Sequence, residues 1–464
     1  MGIAADLFFS ADTARETLHR RITPTDQQQA DQQERWNDLA DFLKVRLKEN
    51  TGYSIRTWLQ GSYKFGTQIR PWTMDAQFDI DLGLYFEWEG KAEDGEYEPE
   101  ELKALVQSAL EEYQGDEEND ATGVEDPKER CNRISFEPDF HIDVPCYQLD
   151  AARDARTLAT QTQGWEVSDP KAIYIWFKNE LDDNGLRTKL RRQVRYFKMW
   201  AALAFEDVGR PSSILLTVLI TEAAQEVDLG LADDELLAAL VPVIHNRLSH
   251  AYLFEGSEVL NPADQRNDRE NLNRLSDEEN KEFIAKLETF TDIATRATAS
   301  MDKATAAEIW AEAFEHFFPL PEDNNEEALE KSAARNALVL AFDPQVQVVA
   351  TPKKNAHRSW EGINSLPPIP KDCTIQFTLL NPPPAGATLR WTVRNRGEEA
   401  AIKNDLGHIV GTGLQVERNS AYNGDHAMDL TVMLGKQVIG RRRIAINIRG
   451  IPIPPRNPKR RRRF

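Results

Sequence analysis

The sequence of 464 residues contains no run of eighteen apolar residues and only three cysteines. Without such a run, no segment is long enough to cross a bilayer as a helix. The first residues, MGIAADLFFSADTARETLHRR, lack the charged and then apolar order of a signal peptide. The cysteines, at positions 131, 146 and 373, have no paired spacing, which argues against disulfides or a zinc site and favours a reducing compartment. We therefore expect a cytoplasmic protein that has no contact with membranes.

Positive charge is the scarcer sign in this chain. Its 56 lysines and arginines face 76 aspartates and glutamates, which gives a formal net charge of −20. A field of that sign opposes general nucleic-acid binding, whereas the local basic clusters RTKLRRQVRYFK and PKRRRRF suit a small anionic substrate. Acids concentrate in residues 89–126, which we expect to form a solvated loop.

Changes of pattern along the chain predict an α+β protein made of several segments. Residues 1–168 mix helical and strand patterns, and residues 169–322 are dominated by helical periodicity. A polar, acidic linker at 323–342 precedes residues 343–450, where short alternating segments and turns predict a small all-β sandwich. Residues 451–464 are basic and rich in proline, and we expect an extended tail.

Within the first segment, periodicity predicts the elements that could carry a site. Residues 25–50 are predicted to form a helix that begins with a Thr-x-x-Gln capping box, and residues 54–59 a short strand. A short helix is expected at 62–70 and an alternating strand at 77–87. The stretch RISFEPDFHIDVPCY predicts a β-hairpin.

The strand at 77–87 places two acids on the face opposite its apolar residues. Side chains two apart on a strand share a face, so the carboxylates of Asp79 and Asp81 lie a few ångströms from each other. Such a pair is repulsive unless a cation binds it, and oxygen ligands favour Mg²⁺ or Mn²⁺. Asp143, on the polar face of the hairpin, completes a triad if the strands are neighbours, as a two-metal phosphoryl-transfer site requires.

The turn before this strand fits the same chemistry. Gly61 allows the backbone to approach a phosphate, and Ser62 offers a hydroxyl at a helix start where free N–H groups favour an anion. The alternative is a half-solvated edge strand with two ordinary polar-face aspartates. The ordered combination of the GS turn, the D-x-D strand and the later aspartate favours the metal and phosphate site.

These motifs resemble those of the DNA polymerase β-type nucleotidyltransferases, and among them the bacterial cGAS/DncV-like enzymes (CD-NTases). The resemblance covers residues 25–320 and rests on QGSYKFGT, FDIDLGLYF, FHIDVPCY, GWEVSDPKAIYIWF, VRYFKMW and PSSILLTVLITEA in that order. It implies a polymerase β-like nucleotidyltransferase core with a helical second lobe. The segments LRWTVRNRGEEA and ERNSAYNGDHAMDLTV resemble the AGS-C sensor domain that is often fused to such enzymes.

The resemblance also implies roles for individual residues. Asp79, Asp81 and Asp143 would hold two Mg²⁺ ions, and Asp143 would help to deprotonate the acceptor hydroxyl. The residues expected to contact the donor nucleotide or its triphosphate are Gln60, Gly61, Ser62, Tyr63, Lys198 and Ser212, with Ser213 as the alternative to Ser212.

Two further features leave alternatives open. Arg191, Arg195 and Lys198 share one face of a predicted helix and could neutralise phosphates, or they could form a solvated face that balances nearby acids. His141, two residues before Asp143, is either a hydrogen-bonded structural histidine or a metal ligand or proton carrier.

The function implied by the resemblance is template-independent transfer of nucleotides from NTPs, ATP among them, with closure into a cyclic di- or trinucleotide messenger. It further implies an anti-phage (CBASS-type) operon in which the product activates a separate effector protein. A regulatory partner and enzymes that modify the C-terminus are also implied. Two rivals stay open: synthesis of linear oligonucleotides or extension of an RNA end, and a non-enzymatic ligand sensor with a vestigial transferase fold.

Overall fold

The chain divides into two compact units, Met1–Leu320 and Pro321–Phe464. The computed structural model describes residues 2–73, 76–117, 119–136, 140–254, 256–319, 341–354, 358–435 and 437–450. Most of the predicted linker at 323–342 and all of the predicted tail at 451–464 lie outside these residues. Within the described ranges, no helix combines the length and the apolar character that crossing a membrane requires.

The first unit is built on one mixed sheet. Its strands are β1 (Ser54–Gln60), β2 (Phe78–Glu87), β3 (Ala121–Glu125), β4 (Asn132–Phe136), β5 (Phe140–Val144), β6 (Cys146–Asp150), β7 (Ala155–Ala159) and β8 (Trp165–Val167). They follow the order β3-β4-β5-β2-β6-β7-β8, and β1 pairs with β2 as well. The predicted hairpin is confirmed, because β4 and β5 pair antiparallel; its three turn residues, 137–139, lie outside the described residues.

The neighbours of β2 determine where its aspartates lie. β2 pairs antiparallel with β1 and parallel with β5 along its first half and β6 along its second half. Only Pro145 separates β5 from β6, and its missing N–H interrupts the strand there while its carbonyl accepts a hydrogen bond from Leu84 N at 2.9 Å. The first half of β2 therefore lies directly beside β5.

Helices surround this sheet and form the rest of the first unit. They are α1 (Ala5–Phe8), α2 (Leu18–Ile22), α3 (Asp26–Thr51), α4 (Gly61–Phe65), α5 (Pro99–Gln114), α6 (Pro170–Asn179), α7 (Asn184–Ala204), α8 (Ser213–Ala223), α9 (Asp233–Phe254), α10 (Asp277–Thr298) and α11 (Lys303–Phe314). Two short 3₁₀ helices are Ala92–Asp94 and Glu315–Phe317. The predicted helical character of the residues after 169 is confirmed.

The apolar face of β2 forms the centre of the main core. Its alternate side chains are all buried and pack with those of α3 and α5, as the alternation predicted. Each fully buried side chain of this size contributes about 1.5–3 kcal/mol relative to an exposed one. The residues of this row are Phe78, Ile80, Leu82, Leu84 and Phe86.

Local backbone chemistry confirms the predicted start of α3 and shows that α4 is shorter than predicted. The capping box at the start of α3 is present, with Thr25 Oγ1 accepting from Gln28 N at 3.2 Å and Gln28 Oε1 accepting from Thr25 N at 2.9 Å. The helix expected at 62–70 is wrong in length, because α4 ends at Phe65. Gly66 follows with φ +64°, a left-handed conformation that ends helices.

The prediction that residues 89–126 form a solvated loop is wrong. The segment contains α5, whose Leu102, Val106 and Leu110 are completely buried in the main core. The high acid content misled the prediction because the acids of α5 occupy only its outer face. The apolar residues recur at spacings of four and pack against the sheet.

The helical lobe has its own aromatic core, to which the N-terminal segment contributes. Phe8 of α1 makes edge contacts with Tyr196 of α7 and Trp310 of α11, at ring-centroid distances of 5.2 and 4.9 Å. Trp200 of α7 stacks on Phe290 of α10 at 4.6 Å. The aromatic residues of α7 are thus core and not a surface for stacking bases.

The second unit is an all-β domain, as the alternating segments predicted. Its elements are β9 (Val346–Pro352), β10 (Trp360–Ile363), β11 (Cys373–Leu379), β12 (Ala387–Arg394), α12 (Glu398–Ile402), β13 (Gly407–Gly411), β14 (Gln415–Asn419), β15 (Gly424–Leu434) and β16 (Gln437–Ile448). One sheet has the order β10-β9-β11-β14 and the other β13-β12-β15-β16, and the pairs within each are antiparallel. A shared apolar core that includes the fully buried Trp391 joins the two sheets.

Candidate active site

The three predicted carboxylates meet on one face of the sheet. β2 and β5 pair in parallel with Asp79 opposite His141 and Asp81 opposite Asp143. Register partners on neighbouring strands share a face, so all four side chains project to the same side, away from the main core. The triad expected from the sequence is thus assembled by the pairing of two strands that are far apart in the chain.

Three of these four side chains, without Asp81, lie close enough together to hold one metal ion. Ligand atoms of Asp79, His141 and Asp143 all lie within 4.8 Å of one another. His141 Nε2 lies 3.0 Å from Asp79 Oδ1, and its Nδ1 lies 3.1 Å from Gln77 Oε1. His141 therefore lies between a carboxylate of the site and a neighbouring amide. These contacts agree with the hydrogen-bonded structural histidine that the sequence left open, and the position of His141 also suits a metal ligand.

Electrostatics distinguish the two aspartates of β2. Burial would raise the pKa of Asp79, but the hydrogen bond from His141 and the positive charge of Arg133 outweigh it, so this pKa lies below its ordinary value. Burial and the charges of Asp79 and Asp143 raise the pKa of Asp81 well above its ordinary value. This crowding of oxygen ligands fits a divalent cation, because an added positive charge would offset the repulsion between Asp81 and its two acidic neighbours.

Gly61 is placed directly against Asp81. It has φ +53°, and a Cβ at this position would lie 1.8 Å from Asp81 Oδ2. Both the backbone conformation and the space therefore require glycine. The turn that the sequence associated with phosphate binding is in contact with the carboxylate cluster, and Ser62 follows it in the first turn of α4.

Lys198 lies near the same cluster, although it is far away in the chain. It is buried, and its Nζ donates to the carbonyl of Thr67 at 3.1 Å. Burial and the charge of Arg195 lower the pKa of Lys198 to about 8, against the opposing effect of Asp79 and Asp81. A cation held close to the carboxylates by a backbone carbonyl is suitably placed for a polyphosphate.

Other predicted contacts have different surroundings. Gln60 is buried and extends over Gly83 to receive a hydrogen bond from Tyr147 Oη at 3.1 Å and to donate one to Tyr85 Oη at 2.7 Å. The hydroxyl of Tyr63 accepts from Trp36 Nε1 at 3.3 Å. Gln60 lies opposite Asp81 in the register of β1 and β2, so it is on the same face of the sheet as the carboxylates. Contact of Gln60 or Tyr63 with a nucleotide stays a prediction.

The remaining predicted residues lie on α7 and α8. Arg195 Nη1 lies 3.0 Å from His19 Nε2 of α2, and Arg191 Nε donates to the carbonyl of Phe65 at 2.9 Å. Two of the three basic side chains on this face of α7, those of Arg191 and Arg195, thus already have polar partners within the protein. Ser212 caps α8 by accepting from Leu215 N at 3.3 Å, and Ser213 begins that helix; both are exposed.

Arg133 is a site residue that the sequence did not reveal. It lies opposite Asp143 in the register of β4 and β5, and its guanidinium donates to both carboxylate oxygens, at 2.5 and 2.8 Å. The one signal was its place on the polar face of the predicted hairpin. Without the register, that face could not be distinguished from an ordinary solvated one.

Two protein-family models match parts of this chain. Residues 55–147, which contain β1, β2 and β5, match the nucleotidyltransferase domain of the "Cyclic GMP-AMP synthase DncV-like" family. These residues are therefore similar to a DncV-like nucleotidyltransferase domain. Residues 323–449 match the adenylyl/guanylyl and SMODS C-terminal sensor domain, AGS_C. The family resemblance of the sequence is thereby confirmed for both units.

Related proteins give the same classification. A cyclic GMP-AMP synthase from Escherichia albertii is 27% identical over 455 residues, which cover 96% of either chain. A c-di-GMP synthase from Roseivirga ehrenbergii is 25% identical over 245 residues, 48% of this chain and 61% of the relative. The solved structure of Vibrio cholerae DncV cyclic AMP-GMP synthase, in complex with the linear intermediate pppA(3′,5′)pG, has a TM-score of 0.55 at 20% identity. It covers 68% of this chain and 96% of that one, and this likeness establishes the fold.

Proposed function

We propose that this DncV-like nucleotidyltransferase condenses NTPs without a template and closes the product into a cyclic di- or trinucleotide. The observation that carries the proposal is the convergence of Asp79, Asp81 and Asp143 on neighbouring parallel strands, with Gly61 against Asp81. That arrangement suits phosphoryl transfer, in which catalysis consists of positioning and charge stabilisation. The related synthases that match along most or half of this chain make cyclisation the favoured outcome.

The carboxylates of Asp79, Asp81 and Asp143 are the proposed ligands of two divalent cations, with Mg²⁺ preferred and Mn²⁺ as the substitute. Bound there, such ions would supply Lewis-acid stabilisation of the charge that develops on the phosphoryl group. The carboxylate oxygens favour these hard cations, whereas His141, the one nitrogen donor of the described cluster, is not among the proposed ligands.

The protein's own groups hold the substrates and manage the proton. Asp143 is proposed to accept a hydrogen bond from the acceptor hydroxyl and to assist its deprotonation. Lys198 would donate to the donor triphosphate, and Ser62 with Ser212 or Ser213 would contact its oxygens. Arg133 holds both oxygens of Asp143, so the acceptor has to be accommodated beside a guanidinium.

Product analysis tests this function and separates it from its rivals. The full-length protein would be incubated with the four NTPs and Mg²⁺, and the products separated by chromatography before and after phosphatase treatment. Phosphatase-resistant oligonucleotides, with none from the Asp79→Asn/Asp81→Asn variant, are expected. Products that lose terminal phosphates would show a linear synthase, and no product under any metal or NTP condition would favour a non-enzymatic sensor.

The setting that we propose is anti-phage signalling in the bacterial cytoplasm, with a separate effector protein activated by the product. Support comes from the cyclic nucleotide synthases that this chain resembles and from its unpaired cysteines. Plaque counts on cells carrying the complete operon, compared with the double-aspartate variant, test this role. Equal phage sensitivity of the two strains would contradict it.

We also propose that the second unit binds a ligand or partner and thereby changes the rate of the first. Its match to a sensor domain family supports this role. A chain ending at residue 322 is expected to keep metal-dependent nucleotide transfer but to lose its response to lysate from infected cells. The role fails if both forms have the same rate and the same response.

A further inference from the structure

Strand β14 of the second unit carries a charged side chain on its inward face. It pairs with β11 so that Val416 lies opposite Phe377 and Arg418 opposite Ile375. Both β11 residues are buried in the core between the sheets, and register partners share a face. Arg418 therefore points into the sandwich, where charged residues are rare unless they are paired.

Polar residues of the opposite sheet meet Arg418 at this end of the sandwich. On β15 the inward row of Met428 and Leu430 continues to His426, which is buried. Asn395, directly after β12, is buried as well. The loops add Asp405 and Tyr422. The apolar interior thus ends in a set of convergent hydrogen-bonding groups.

A cavity of about 220 Å³ lies between the sheets at this place. Its walls are apolar side chains from both sheets, and its polar groups are those at the end of the sandwich. An apolar cavity of roughly 150 Å³ admits benzene, so this one has room for a two-ring compound but not for a nucleoside triphosphate. The apolar walls include Ile375, Phe377, Val393, Met428, Ile446 and Ile448.

Most polar groups around the cavity already have partners. Tyr422 Oη donates to Asp405 Oδ2 at 3.1 Å, and His408 Nδ1 lies 3.2 Å from Asp405 Oδ1. His426 Nε2 donates to the carbonyl of Tyr422 at 3.0 Å, and its Nδ1 accepts from Arg396 N at 3.3 Å. With both of its ring nitrogens in use, His426 is a neutral wall residue, and burial lowers its pKa in agreement with this.

Arg418 differs from these neighbours. Its side chain is 29% exposed, and its nearest charged partner is Asp405 Oδ2 at 3.8 Å, which is beyond hydrogen-bonding distance. Among the described residues, its guanidinium forms no side-chain hydrogen bond. An inward cation with unused donors next to an apolar cavity is the feature that a ligand would complete.

We propose that this cavity binds a small, uncharged, two-ring heteroaromatic compound that presents a carbonyl oxygen or ring nitrogen to Arg418. The flat ring would lie between the two sheets, against Phe377 and Met428. An anionic ligand is disfavoured, because the carboxylate of Asp405 already balances the one arginine that lines the cavity. The proposal rests on the binding role proposed for the second unit and names its site and ligand class.

Calorimetric titration of the full-length protein tests the site. The probes are quinazolin-4-one, an uncharged bicycle with a carbonyl oxygen, and indole, a bicycle of similar size without such an acceptor. Quinazolin-4-one is expected to bind about tenfold more tightly than indole, the effect of one hydrogen bond to a charged donor. Because the readout is binding and not nucleotide transfer, this proposal and the catalytic one can fail separately.

Variants localise the binding to the cavity. Arg418→Met should abolish the preference for quinazolin-4-one, and Ala421→Phe, which enters the cavity from an exposed loop, should weaken both probes. Glu417→Gln, on the outer face of the same strand, serves as the matched control and should change neither. The proposal is overturned if quinazolin-4-one fails to bind at about 1 mM, if indole binds equally well, or if Arg418→Met binds like the unaltered protein.

Discussion

Arg133 and Asp143 face each other across β4 and β5, and the guanidinium donates from Nε to Oδ1 at 2.5 Å and from Nη2 to Oδ2 at 2.8 Å. Both side chains are mostly buried, with 20% and 13% of their surface exposed. An aspartate proposed to bind a metal is therefore already neutralised by an internal cation. Bidentate ion pairs of this kind are strong and directional. A metal ion that binds Asp143 must therefore either displace Arg133 from its oxygens or bind beside it.

Arg133→Gln is expected to tighten the binding of Mn²⁺ by about tenfold, because it removes a positive charge from beside the ligands. Electron paramagnetic resonance of free Mn²⁺ during a titration of the full-length protein measures this without catalysis. Arg130→Gln, three residues earlier and paired with Glu166, is the control. Weaker Mn²⁺ binding by Arg133→Gln would instead mean that the arginine holds Asp143 in the orientation that the metal needs.

The double variant Asp79→Asn/Asp81→Asn should abolish product formation while the fold is retained. Loss of several kcal/mol of transition-state stabilisation corresponds to a fall in rate of about a thousandfold or more. Asp81 is repelled by Asp79 and Asp143, whereas Asp79 is stabilised by His141 and Arg133, so the two changes have opposite effects on stability and the metal-free variant is expected to melt near the temperature of the unaltered protein. Near-normal product formation with Mg²⁺ would remove both residues from the catalytic site.

Gly61→Ala should reduce the rate of product formation by more than the loss of folded protein alone would account for. Its Cβ would overlap Asp81 Oδ2, and φ at this position is +53°. Gly52 supplies a matched control, since it has φ +74° but no atom within 4 Å of a Cβ. Both variants should lose about 1 kcal/mol of unfolding free energy from backbone strain. If Gly52→Ala and Gly61→Ala have the same activity, the contact with Asp81 is not needed for catalysis.

Lys198→Met should chiefly raise the KM for NTP, because a phosphate contact made equally in the ground and transition states contributes uniform binding. Initial rates across an NTP series, with the fold checked by circular dichroism, provide the measurement. Lys189→Met on the same helix is the control, since Lys189 Nζ donates to the carbonyls of Leu229 and Leu231. Unchanged rates at low NTP would exclude Lys198 from the donor site.

Asp429 should make the stability of the second unit depend on pH. Burial would raise the pKa of Asp429, but the charges of Arg443 and Arg394 outweigh it and hold this pKa well below its ordinary value. The pKa of Asp429 is lower in the folded protein than in the unfolded chain. The stabilisation is therefore complete above the ordinary aspartate pKa, and it is lost as the pH falls from there towards the folded pKa.

Asp429→Asn should accordingly lower the unfolding free energy by about 1–3 kcal/mol at neutral pH, and by less near pH 3. Amide hydrogen exchange of strand β15 in increasing urea, measured at the two pH values, checks this. Asp425→Asn, an exposed change on the same strand, is the control. A loss that does not vary with pH would mean that packing, and not charge, accounts for the effect.

Local patterns in the sequence were enough to predict several elements and the chemistry of the acids. The alternation of β2 predicted which side chains are buried, and the same alternation placed Asp79 and Asp81 on the other face. The capping box of α3 and the change to short strands after residue 343 are likewise local patterns. Local rules suffice in these cases because a repeating backbone geometry decides which residues share a face.

Only the tertiary structure decided what lies next to what. The pairing of Arg133 with Asp143, the approach of Lys198 to the carboxylates and the inward position of Arg418 depend on strand register and packing between distant segments. A shift of one residue in register would reverse the faces of a whole strand, and nothing local in the sequence specifies that register. The acids could therefore be identified from the sequence, while the cations that neutralise them could be placed only by the fold.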